Sequence, residues 1–135
     1  MKRVLTGLLF TMLIIGCTKQ NDLQVNANTT QQLVLKNPNI SVVNVSAVKT
    51  GSKQVTFKFS TEYEKDIKSI EVLSGEDETL FCQIFVEYIE QNSSQKRNYT
   101  VVDNEPKGPV THYMIKYTTA NGSWFCSSIY KVNVK

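Results

Sequence analysis

Val55-Thr56-Phe57-Lys58-Phe59-Ser60 and His112-Tyr113-Met114-Ile115-Lys116-Tyr117 decide the fold. In the first stretch Val55, Phe57 and Phe59 alternate with Thr56, Lys58 and Ser60. In the second, Tyr113, Ile115 and Tyr117 alternate with His112, Met114 and Lys116. Successive strand side chains point to opposite faces, so each pattern predicts a strand with one buried and one wet face. Working outward, Ile40–Val48, Ile67–Leu73, Phe81–Ile89, Asn98–Val102 and Trp124–Val134 are further strand candidates, rich in Val, Ile, Thr, Tyr and Phe. Turn-forming residues separate them at Thr50-Gly51-Ser52, Ser74-Gly75-Glu76-Asp77, Asn92-Ser93-Ser94, Pro106-Lys107-Gly108-Pro109 and Ala120-Asn121-Gly122-Ser123. The Asn121-Gly122 pair is the strongest hairpin signal among them. No segment holds a helical period. Seven strands with regular turns in about a hundred residues predict an all-β, seven-stranded antiparallel β-sandwich.

Ahead of this domain the chain changes character. Met1-Lys2-Arg3 is followed by an apolar run from Val4 to Ile15, the layout of a secretory signal and too short for a mature membrane span. The ending Ile14-Ile15-Gly16-Cys17 resembles a bacterial lipobox, which implies cleavage before Cys17 and lipid, including palmitate, on that cysteine. Multiple acyl chains anchor stably where one does not. The resemblance therefore implies a lipoprotein of the bacterial cell envelope. Thr18 is not the aspartate of an inner-membrane retention signal, which favours the outer membrane; Lys19 and Asp22 do not decide between its periplasmic and external faces. Three segments follow: a signal peptide over 1–16, a polar tether over 17–38 and a β domain over 39–135. The tether is Asn-, Gln- and Thr-rich and too poor in apolar residues to offset its ordering entropy.

Charge narrows the partners. Of 15 basic and 12 acidic residues, Lys2 and Arg3 leave with the signal peptide, so 13 basic face 12 acidic and the net charge is +1. This removes the footprint of a nucleic-acid binder and of a polybasic membrane patch.

The domain carries its own resemblance. Asn98-Tyr99-Thr100-Val101-Val102-Asp103-Asn104-Glu105-Pro106, the strand led by Tyr113, and Asn121-Gly122 fall in the order of the fibronectin type III-like, immunoglobulin-like sandwich of bacterial secreted and surface proteins. The likeness runs from about Ile40 to Lys135, with Phe59 standing where tryptophan is usual. It implies that Tyr113 is a tyrosine corner, its ring inward and its hydroxyl reaching upstream backbone.

Candidate chemistry is sparse. Cys82 and Cys126 are an even pair in an exported chain, which suggests a disulfide. The family strand order, however, places two strands between them. His112, the only histidine, is expected on the solvent face by its alternation with Tyr113. Glu76, Asp77 and Glu78 lack the spaced oxygens of a calcium loop and read as a solvated tip. No metal site, cofactor site or catalytic set is expected. The best surface candidate is aromatic: Trp124 and Phe125 after the Asn-Gly turn, with Tyr63 at the same pole, as a binding edge or as a cap on the core. These readings predict a lipid-anchored, non-catalytic domain for adhesion, accessory binding or scaffolding, its partner an envelope protein or a glycan. Two alternatives stand beside it: a carbohydrate-binding accessory of a nutrient-uptake complex, and a small envelope enzyme.

Overall fold

The computed structural model describes residues 35–134. The expected signal peptide, Cys17 and the tether up to residue 34 lie outside them. The described chain is all-β: β1 (Leu35–Asn37), β2 (Ile40–Gly51), β3 (Gln54–Glu64), β4 (Ile67–Gly75), β5 (Cys82–Tyr88), β6 (Arg97–Asp103), β7 (Val110–Thr119), β8 (Trp124–Cys126) and β9 (Tyr130–Asn133). Every pairing between strands is antiparallel. One sheet has the order β1-β2-β3-β6; the other runs β5-β4-β7-β8, with β9 also paired to β7.

Period two chooses the inward residues. Val55, Phe57 and Phe59 of β3 and Tyr113, Ile115 and Tyr117 of β7 are all buried and join one apolar cluster with Ile40, Val42, Ile70, Val72 and Val132. Both sheets contribute to this cluster. Its centre is aromatic: the Phe57 ring lies 5.5 Å from Tyr113 and 5.6 Å, edge-on, from Tyr130, geometries that favour the ring quadrupoles. Phe59, where the resemblance wants tryptophan, stacks on Tyr99 at 4.7 Å.

The buried carboxylates of Glu64 and Asp103 tie strands together. Glu64, its side chain fully buried, accepts hydrogen bonds from Thr61 Oγ1 (2.7 Å), Tyr99 Oη (2.6 Å) and Arg97 (2.9 Å), joining β3 to β6. Asp103 accepts from Tyr113 Oη (2.8 Å), from Ser74 Oγ (3.3 Å) and from the Glu105 amide (3.0 Å). The Tyr113 ring is inward as expected. Its hydroxyl, though, reaches the carboxylate of Asp103 rather than upstream backbone, because Asp103 turns its oxygens into the space between β4 and β7. Burial, reinforced by the bond to Asp103, pushes the Tyr113 hydroxyl's pKa well above the usual value.

Three local features depart from the sequence pattern. β1, over Leu35–Asn37, pairs with β2, so strand pairing is present ahead of residue 39, inside the stretch expected to be tether. The single terminal strand expected over Trp124–Val134 is two. Between them Ser127 Oγ accepts the Ile115 amide (2.9 Å) and donates to Ser128 O (2.8 Å), so a hydroxyl replaces a ladder carbonyl and breaks the register. The Asn121-Gly122 hairpin forms with a three-residue loop: Gly122 N donates to Thr119 O, Thr119 N to Ser123 O, and only Gly122 takes a positive φ, 88°. That is a type I turn closed by a left-handed glycine.

Candidate functional site

Residues paired across antiparallel strands share a face, so register alone assembles the outward surface of the five-stranded sheet. Ser69 pairs with Tyr88 of β5 on one side and Thr118 of β7 on the other, and Thr118 pairs with Trp124 of β8. Tyr88, Ser69, Thr118 and Trp124 therefore form one row across four strands. Its phase is outward, since the next residues, Ile70 and Tyr117, are in the core. The aromatic ends of the row are open, Tyr88 at 69% and Trp124 at 38% exposure, while Ser69 between them is nearly covered. The neighbouring row is Val86, Glu71, Lys116 and Cys126. There Lys116 Nζ bridges both oxygens of Glu71 at 3.1 and 3.2 Å, so the floor carries no net charge.

Beyond the row, at the pole of the sheet, lies an open depression of about 370 Å³ whose lining includes Asp66, Lys68, Glu90, Asn92 and Ala120. Asp66 sits in left-handed backbone at φ 53°, a conformation uncommon outside glycine. Its amide donates to Asn92 Oδ1 at 2.7 Å and its carbonyl accepts the Ala120 amide at 2.7 Å, which together hold three chain segments around the depression.

The aromatic trio read from the sequence divides. Phe125 pairs with Tyr117 and stacks on it at 5.2 Å, so it lies on the opposite face of β8 from Trp124, and it is 42% exposed there. Tyr63 is half-buried on β3, its hydroxyl donating to Asn37 O at 2.7 Å, and the Tyr117 hydroxyl lies near Asn37 and Tyr63. Tyr63 and Phe125 thus belong with Tyr117. Trp124 instead shares its face with Tyr88, a residue the sequence reading did not single out. The alternation within Phe81–Ile89 includes it, but only the register with Ser69 pairs it with the Trp124 row.

Other candidates resolve as follows. Cys82, exposed on β5, and Cys126, half-buried on β8, stand on the two edges of the sheet with β4 and β7 between them. Three strand spacings are roughly 14 Å, about twice the Cα separation a disulfide spans. His112 is not the surface residue expected: it is 9% exposed, and its Nδ1 is buried without a hydrogen-bond partner. Its phase is outward, but the segment between β4 and β5 folds back over that face. His112 pairs with Gly75, where a side chain would collide with the Leu80 carbonyl, and with Lys131, which forms an ion pair with Glu78 of the same segment. Asp77 caps this segment from within. Its Oδ1 accepts the Thr79 hydroxyl (2.7 Å) and the Thr79 and Leu80 amides (2.8 and 3.0 Å), bonds that hold its carboxyl below the usual range. Among the described residues no three His, Cys, Asp or Glu side chains are placed to hold a metal ion.

Comparison with known proteins finds no matching family model, no similar curated protein and no similar solved structure.

Proposed function

We propose that this chain is a lipid-anchored protein of the bacterial cell envelope whose fibronectin type III-like β-sandwich is a non-catalytic binding module, with the outward face of the five-stranded sheet as its contact surface. The leader and lipobox-like ending at Cys17 support the anchor, and Thr18 supports the outer membrane. The sandwich is supported by one core shared between two antiparallel sheets. Taking β2, β3 and β6 as strands A, B and E, and β4, β7 and β9 as C, F and G, the sheets divide as immunoglobulin-like sandwiches do, with β5 added at the C edge. In this reading β1 extends strand A and β8 is the first half of strand G, so the seven expected strands become nine. All three buried carboxylates, Glu64, Glu71 and Asp103, are occupied by structural hydrogen bonds, consistent with a module that binds rather than reacts.

The observation that carries the binding face is the register that sets Tyr88 and Trp124 at opposite ends of one outward row. Exposed aromatics are the residues most enriched where proteins bind. The test is a photo-crosslinking amino acid placed at Tyr88 or at Lys58, an exposed residue of β3 in the other sheet, in intact producing cells. Adducts from position 88 and none from 58 support the face. Equal capture from both, or capture from 58 alone, overturns it. Metabolic labelling with an alkyne palmitate tests the anchor: label lost in Cys17→Ser supports it, label absent from the unsubstituted chain refutes it.

A further inference from the structure

Resting on that binding face, we infer that the row from Tyr88 to Trp124 is a platform for a linear, uncharged glycan, with the two aromatic rings as stacking posts. Three features point to this ligand class. First, the posts are separated rather than clustered. Three strand spacings put them on the order of 14 Å apart, the span of a short run of linked sugar rings rather than one apolar side chain. A protein hot spot gathers its aromatics in one desolvated centre ringed by neutral contacts; here the centre is polar and the aromatics are at the rim.

Second, the floor matches a polyhydroxylated chain. Thr118 presents a hydroxyl, and Lys116 and Glu71 neutralise one another, so nothing on the floor selects a charged ligand. A pyranose offers C–H bonds on its ring faces, which suit the negative face of an aromatic ring, and hydroxyls at its rim, which suit polar side chains. A row with aromatic ends and a polar middle meets both demands at once. Third, the row borders the depression at the pole: Lys68, next to Ser69, and Ile89, next to Tyr88, line it together with polar residues that include Asp66, Glu90 and Asn92. Paired donors and acceptors there suit the hydroxyls of a chain passing the pole.

Trp124 is the only tryptophan in the chain, so its emission reads the platform directly. The full chain in detergent is titrated with linear hexasaccharides of glucose, xylose, mannose and N-acetylglucosamine. The expected result is a saturable change in emission with at least one of them. Tyr88→Ala should weaken that binding by up to about tenfold, the contribution of one ring contact, with an unchanged melting temperature. Lys58→Ala should leave it as it was. An unchanged emission with every saccharide, or equal binding by Tyr88→Ala, overturns the glycan inference. If the crosslinker at position 88 nevertheless captures a protein, the binding face stands and its ligand is a polypeptide. If neither saccharide nor crosslink appears, both readings fall.

Discussion

The two faces of β7 pose different problems with the same alternation. Inward, Tyr113, Ile115 and Tyr117 are buried in a core of close-packed rings, and both hydroxyls they bring have partners, Tyr113 on the Asp103 carboxylate and Tyr117 beside Asn37. Outward, His112, Met114, Lys116 and Thr118 lie on a surface that is covered at one end and open at the other. At the covered end His112 has a buried nitrogen without a partner. At the open end Thr118 is flanked by Trp124 at 38% exposure. The inner face concentrates stability. The outer face has an unmade hydrogen bond under its covered end and leaves large aromatics in water at its open end.

That contrast can be broken by substitution. The largest effect should come from Tyr113→Ala, which removes a buried ring and one of the donors to Asp103: about 3–5 kcal/mol, measured by urea denaturation. Tyr113→Phe keeps the ring and should still cost about 1–3 kcal/mol, because a buried carboxylate loses a donor. Titration probes the same face. Burial raises the Tyr113 and Tyr130 hydroxyls above their ordinary value of 10.0, so both resist ionisation in the folded chain. Their contribution is fully present below pH 10.0 and is lost as the unfolded chain's tyrosines ionise above it, so stability should fall progressively beyond that pH. A stability curve flat from pH 9 to about 11.5 would contradict this.

On the covered end of the outer face the effects should be intermediate. Gly75→Ala forces a methyl against the Leu80 carbonyl and should cost about 1–3 kcal/mol, with faster hydrogen exchange in residues 76–81. His112→Leu removes the unpartnered nitrogen and should change stability by no more than about 1 kcal/mol in either direction. A loss as large as that of Tyr113→Phe would mean that His112 has a partner in solution. Smallest of all, Tyr88→Ala and Trp124→Ala should each stay within about 0.5 kcal/mol, as exposed substitutions do.

The same contrast explains what was legible in the sequence. Alternation along one strand says which side chains share a face, and where one face is a core this is enough: Val55, Phe57, Phe59, Tyr113, Ile115 and Tyr117 are all inward. It says nothing about which residues of other strands lie alongside. The row of Tyr88, Ser69, Thr118 and Trp124 exists only through register, and the apolar run of β5, with Ile84 and Phe85 both packed on the core, offers no phase of its own. His112 departs from the surface position expected of it for a related reason. Its phase is outward as alternation requires, yet a segment more than thirty residues upstream covers it, and Gly75, which permits that approach, reads in the sequence as an ordinary turn residue. Ser127 breaks the last strand with a hydroxyl that serves equally well on a strand's wet face.

The most direct test is the double variant Tyr88→Ala/Trp124→Ala in the anchored full chain, with unfolding followed by circular dichroism and crosslinking from an adjacent probe in intact cells. The account predicts an unfolding midpoint within error of the unsubstituted chain together with lost capture. A midpoint lowered as far as that of Tyr113→Phe, or capture that survives both substitutions, would contradict it.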